Sequence, residues 1–171
     1  MIHLKNLRLW ALKRSLWVFH VNSGSCNGCD IEIVDALTPR YDVERFGIRL
    51  VGSPRHADVL LITGPITSKN LPRILRIYEQ VPEPKFVMVI GSCAASAGLF
   101  RGSYNILSGI DSVLPVDVYV IGCPVRPEAI IDGFIKIIEK IERVERGEDR
   151  GKPIVIGEHL PTPMIKVKAE R

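Results

Sequence analysis

Four cysteines place the strongest constraint on this chain. Cys26 and Cys29 form a C-x-x-C pair within Ser23-Gly24-Ser25-Cys26-Asn27-Gly28-Cys29-Asp30, a Gly/Ser loop directly after the apolar run Trp17 to Val21. Cys93 and Cys123 stand singly, and each lies in a glycine-containing turn behind a further apolar run. These are Gly91-Ser92-Cys93 after Phe86 to Ile90, and Gly122-Cys123-Pro124 after Val116 to Ile121. Three strand-like runs that each deliver cysteine at their C-terminal end call for a fold in which such ends meet. An open parallel sheet does this, because its ligands bind beyond the carboxyl ends of the strands.

The rest of the chain agrees with that architecture. Strands are expected at Leu16 to Val21, around Arg49 to Val51, at Asp58 to Thr63, Phe86 to Ile90 and Val116 to Ile121. Between them lie helical patterns. A short one runs from about Asp30 to Leu37 and stops before Pro39. Another is capped by Asn70, with Leu71, Ile74, Leu75 and Tyr78 on its apolar face. A long one spans Pro127 to Glu145, with Ile130, Ile131, Phe134, Ile137, Ile138 and Ile141 at helical spacing. Val/Ile-rich strands alternating with helices predict an α/β fold, an open parallel sheet with helices on both faces. Gly102 to Val113 reads as an irregular surface segment.

At 171 residues with 46% hydrophobic composition, one domain can bury a core without disulfide staples. Residues 15–146 are read as that domain, residues 1–14 as a basic amphipathic arm and residues 147–171 as an extended tail. No apolar run approaches the roughly 20 residues of a membrane span, and no cleavable leader pattern is present. The expected location is cytosolic, or peripheral on the cytoplasmic side of a membrane. No acidic residue precedes Asp30, whereas Lys5, Arg8, Lys13 and Arg14 crowd the start beside Trp10. That arm either packs on its own domain or docks on a partner or anionic membrane surface. Nucleic acid is not an expected partner, because basic residues elsewhere are interspersed with acids and no nucleic-acid motif occurs.

In a reducing compartment four cysteines point to metal ligation or redox chemistry. A dithiol redox site needs only Cys26 and Cys29 and leaves the other two unexplained. Zinc ribbons bring two C-x-x-C knuckles, and this chain has one pair and two single cysteines; a zinc-stabilised binding module stays open as an alternative. One 4Fe-4S cluster, which takes a thiolate at each of four corners, tolerates this irregular spacing, so Cys26, Cys29, Cys93 and Cys123 are read as its ligands. Glu32 and Glu128 are candidates for the rim of the site, each with a helix N-terminal carboxylate as the simpler reading, and Asp30 is a candidate functional residue or a helix cap. Arg126 is a candidate partner contact or a solvated charge, and His3, His20, His56 and His159 show no ligand spacing.

Taken together, S-C-N-G-C-D-I-E, G-S-C-A-A-S-A-G and G-C-P-V-R-P-E-A resemble the cluster-binding subunit shared by Ni-Fe hydrogenase small subunits and respiratory complex I. The likeness covers about Trp17 to Lys140. It implies a flavodoxin-like domain with the four cysteines as ligands of the 4Fe-4S cluster nearest the large-subunit active site. The separated pair Cys26-Asn27-Gly28-Cys29 is the hydrogenase-like form, since the complex I subunit has adjacent cysteines there. No cysteines remain for a second cluster domain, which resembles the short subunit of membrane-bound, energy-converting hydrogenases. The implied partners are a hydrogenase-type large subunit, a ferredoxin-like iron-sulfur subunit and integral membrane subunits. The implied work is electron transfer toward proton reduction, with Glu32 in a proton-transfer or boundary role. A complex I-like enzyme that reduces quinone or sulfur is the alternative within the same family.

Overall fold

The computed structural model describes residues 7, 9–107, 109–148 and 150–157. Six strands form one sheet: β1 (Leu16–Asn22), β2 (Ile48–Leu50), β3 (Val59–Thr63), β4 (Phe86–Ile90), β5 (Val118–Val120) and β6 (Ile154–Ile156). Their order is β2-β1-β3-β4-β5-β6 and every pairing is parallel. This is the flavodoxin-like order extended by one strand, and its topological switch point lies between β1 and β3.

Among the described residues, four α-helices follow β1: α1 (Gly28–Ala36), α2 (Leu71–Gln80), α3 (Ser92–Ser96) and α4 (Pro127–Glu145). The central strands β3 and β4 are buried at every position, as expected of strands covered on both faces. On one face Ile33 and Ala36 of α1 join Ile130, Phe134, Ile137 and Ile141 of α4 over Leu16, Val18, Leu61 and Met88. On the other, Ile74 of α2, Ala94 of α3, Ile110 and Leu114 pack on Leu60, Ile62, Val87 and Val89. The alternation along each strand thus divides its side chains between two cores.

The ends of the chain depart from the sequence reading. Residues 154–156, placed in the extended tail, form β6 and pair with β5 in the register Val118↔Ile154 to Val120↔Ile156. Three residues between Pro153 and Gly157 are too short to show a period, yet they supply the backbone partners that β5 needs on its outer side. The α/β unit therefore continues past residue 146. Residues 158–171 of the expected tail lie outside the described residues, as do residues 1–6 and 8 of the arm. Residues 9–12 are helical, and Leu9 and Leu12 are buried in the main core. Burying two leucines contributes about 3–6 kcal/mol, enough to order a turn that is marginal alone. Lys13 adds an ion pair to Glu145 at 2.6 Å. Trp10 remains exposed, with the Arg14 guanidinium 4.1 Å from its ring centre.

Three local expectations change. Asn70 precedes α2 but makes no capping bond; its Nδ2 donates to the Ser23 carbonyl at 3.1 Å. Leu75 is exposed, and Ile74 is the buried residue of that helix. Within the segment 102–113, Ile110 is fully buried beneath α3, so its end belongs to the core.

Candidate metal centre

The loops after β1, β4 and β5 converge on one pocket lined by Ser25, Cys26, Gly28, Cys29, Gly91, Ser92, Cys93, Gly122, Cys123 and Pro124. Cys26 sits in the loop after β1 and Cys29 in the first turn of α1. Cys93 sits in the first turn of α3, and Cys123 between β5 and α4. All four are free thiols. Helix N-termini and turn amides favour negative sulfur. Here the backbone N–H of Val125 donates to Cys29, and that of Leu99 to Cys93.

The loops are fastened to one another. Gly91 N–H donates to Val120 O at 2.8 Å, and Ser92 N–H to Gly122 O at 2.9 Å, which laces the Cys93 turn to the Cys123 turn. The Ser23 hydroxyl, fully buried, faces the Thr63, Gly64 and Pro65 carbonyls at 2.8, 2.6 and 3.2 Å and anchors the Cys26 loop to the end of β3.

Two glycines make the close approach possible. β3 lies between β1 and β4 in the sheet, and the residue after it is Gly64 at φ +79°. A Cβ there would stand 2.2 Å from the Ser25 nitrogen, so only glycine lets the Cys26 loop lean across β3 toward the other thiols. At Gly91, φ +95°, a Cβ would stand 2.7 Å from Cys29 Sγ.

The electrostatics describe a ligand set. Burial pushes the Cys29 thiol up; the Val125 amide opposes this, and the charges of Cys123, Asp30 and Cys26 add to it. Burial likewise raises Cys93, followed by Cys123 and Cys26. Four thiolates drawn together penalise one another, and a cationic metal group relieves that penalty. Among the described residues no three His, Cys, Asp or Glu are gathered tightly enough to hold a single metal ion. The four cysteines line one pocket, a donor set that fits a polynuclear cluster taking one thiolate per corner.

The carboxylates separate. Glu32 is half-buried on α1 and does not line the pocket. Glu128 is exposed in the first turn of α4, where its own backbone N–H, a bond from the Tyr41 hydroxyl at 3.0 Å and Arg126 hold its carboxyl below the ordinary range. That is the helix N-terminal role. Asp30 lies in the first turn of α1, yet its oxygens are taken by side chains of β1 and β3: Asn22, Thr63 and His20. His20, read as ordinary in the sequence, belongs to this group beside the site. Only the register that pairs Asn22 with Thr63 could reveal it. Gly64 carries no signal of its role in the sequence, because it follows a strand that carries no cysteine.

A doubly wound α/β protein with four thiols around one pocket at its strand ends carries a donor set suited to a metal group. The chain belongs to the family of the NADH ubiquinone oxidoreductase 20 kDa subunit, which matches residues 26–137, and it is a subunit of an oxidoreductase complex. It is 58% identical over 135 residues to a probable membrane-bound hydrogenase subunit, mbhJ, of Pyrococcus furiosus, covering 79% of this chain and 81% of that one. It is 40% identical over 172 residues to formate hydrogenlyase subunit 7 of Escherichia coli, covering 98% of this chain and 68% of that one. Among solved structures, a chain of the archaeal membrane-bound sulfane sulfur reductase superposes with a TM-score of 0.72 at 46% identity, covering 81% of this chain and 76% of that one. The hydrogenase and sulfane sulfur reductase relatives are subunits of membrane-bound complexes, and among the described residues no helix is long and apolar enough to cross a membrane.

Proposed function

We propose that this chain is the electron-transfer subunit of a membrane-bound Ni-Fe hydrogenase, with one 4Fe-4S cluster on Cys26, Cys29, Cys93 and Cys123. The observation that carries this reading is four free thiols around one pocket in a chain 58% identical to a hydrogenase subunit. When bound, the cluster supplies a one-electron relay between ferredoxin-linked iron-sulfur subunits and the Ni-Fe site of a large subunit. The chain's own residues hold it and donate amides to its cysteine ligands, Val125 to Cys29 and Leu99 to Cys93.

The rim of the pocket supports an intersubunit position. Leu99, 93% exposed, bonds Cys93 through its backbone N–H, and Ile31, 66% exposed, lies two residues after Cys29 on α1; Tyr104 and Leu107 are exposed as well. A large subunit seated there would shield the cluster and accept its electron. Integral membrane subunits would hold the assembly at the cytoplasmic face of the membrane, with this chain peripheral. Glu32, on the helix that carries Cys29, has its role at that boundary.

A second reading, a complex I-like enzyme that reduces sulfur or quinone, is supported by the likeness to the sulfane sulfur reductase chain. One experiment separates the two. The complex is purified anaerobically, its large subunit identified by mass, and nickel, iron and acid-labile sulfide measured. The hydrogenase reading expects nickel and hydrogen evolution from reduced ferredoxin. Iron and sulfide without nickel would favour the second reading, and stoichiometric zinc without iron would remove both.

A further inference from the structure

The carboxylate next to Cys29 is held unusually firmly for a group in the first turn of a helix. Asn22 Nδ2 donates to Asp30 Oδ2 at 2.7 Å. The Thr63 hydroxyl donates to Oδ1, and His20 Nε2 stands 2.9 Å from that same oxygen. His20 Nε2 is also 2.9 Å from Thr63 Oγ1. Since the Thr63 hydrogen is directed to Asp30, both oxygens facing His20 accept, and Nε2 carries the hydrogen. Three donors from β1 and β3 therefore converge on one anion whose side chain is only 15% exposed. Asn27, the N-cap residue of α1, makes no side-chain capping bond.

This arrangement reaches the thiol loop from a second direction. Asn22 Oδ1 accepts from the amides of Gly24 and Ser25, both at 2.9 Å, while its Nδ2 also meets Asn27 Oδ1 at 3.3 Å. The side chain that clamps the Cys26 loop is thus the one that grips Asp30, the immediate neighbour of Cys29. A helix cap has no need of such a link. A fixed charge that must keep a constant distance from a metal centre does.

We infer that Asp30, oriented by His20, Thr63 and Asn22, is the positioning residue of the Cys29 arm and the fixed negative charge that lowers the reduction potential of the group held by the four thiols. Asp30 directly follows Cys29 in the first turn of α1. An added electron makes the centre more negative, so a nearby carboxylate opposes reduction, and its donors moderate that opposition. Removing the charge and removing a donor therefore act in opposite directions, which a purely structural role would not produce. The inference rests on the cluster assignment proposed above.

The test uses the assembled complex carrying Asp30→Asn, Thr63→Val or Thr63→Ser. Iron and sulfide content is measured with the midpoint potential, from redox titration followed by electron paramagnetic resonance. The relevant signal is the one that Cys93→Ser removes. Asp30→Asn should favour reduction on the order of tenfold, about 59 mV for one electron. Thr63→Val strips a donor from the carboxylate and should disfavour reduction severalfold, whereas Thr63→Ser keeps the hydroxyl and should match the unaltered chain. An unchanged midpoint in Asp30→Asn with full iron, or a Thr63→Val shift in the same direction as Asp30→Asn, would overturn the inference. Should Asp30→Asn fail to load iron, the Thr63 pair decides: equal midpoints for Val and Ser sink it. If Cys93→Ser removes no signal from a complex that holds iron, the cluster assignment itself has failed, and this inference with it.

Discussion

Lys140 Nζ stands 3.7 Å from Asp117 Oδ1, with both side chains buried at the N-terminal end of β5, opposite the end that carries the thiols. Asp117 Oδ2 also accepts from the Val87 backbone N–H at 2.9 Å. Lys140→Met leaves a buried carboxylate without its counter-charge and should cost roughly 3–5 kcal/mol. Asp117→Ala strands both a buried amine and a backbone amide, so it should cost about 1–3 kcal/mol more. Equilibrium denaturation at equal metal loading checks the ranking; a milder Asp117→Ala would show that the pair is not what organises this end.

Tyr119 gives a pH dependence. Burial raises its hydroxyl from 10.0 to about 12, with Asp111 adding to the effect. Above pH 10 the unfolded chain loses this proton while the folded chain keeps it, so stability falls as pH rises from 10 toward 12. Below pH 10 the group is protonated in both states and contributes nothing. Tyr119→Phe should flatten that limb by on the order of 2 kcal/mol at its far end. Denaturation midpoints at pH 9, about 10 and about 11 measure it, and parallel curves for the two chains would refute it.

Gly91→Ala forces a side chain against Cys29 Sγ and a positive φ on an L residue. Backbone strain costs about 1–3 kcal/mol, and the crowding displaces a proposed ligand. Gly102, φ +83° with nothing within 4 Å of its virtual Cβ, supplies the control. Iron per chain should fall severalfold in Gly91→Ala and hold in Gly102→Ala. Equal loading would mean that the pocket tolerates the shift.

Glu32→Gln keeps the shape of a half-buried side chain on α1 and removes its proton-accepting charge. Hydrogen turnover by the complex should slow by tenfold or more, within the range of general acid-base contributions, with iron content unchanged. Full turnover would leave Glu32 a surface carboxylate.

Trp10→Ala with Arg14→Glu removes the exposed cation–aromatic pair and leaves Leu9 and Leu12 in the core. Recovery of the chain with the membrane fraction should drop severalfold while its thermal midpoint stays close to that of the unaltered chain. Undiminished recovery would confine the N-terminal segment to its packing role.

Much of this molecule is legible in one dimension. The strand Phe86 to Ile90 and the helix Pro127 to Glu145 match their expected bounds, because a continuous apolar run and a 3.6-residue period are local signals. Asn70 does not cap α2 because it has a distant competitor, the Ser23 carbonyl, which no local rule anticipates. β6 escaped notice because three apolar residues become a strand only when β5 offers them an edge.

By itself the order of residues determined the alternating strands and helices, the parallel α/β class and the three turns that carry thiols, since each depends on near neighbours along the chain. Tertiary structure alone decided that Gly64 would yield space for the Cys26 loop, and that His20, Asn22 and Thr63 would close on Asp30. Those contacts follow from the parallel register of β1 against β3, which sets residues about 40 positions apart side by side and is written in no short stretch of sequence.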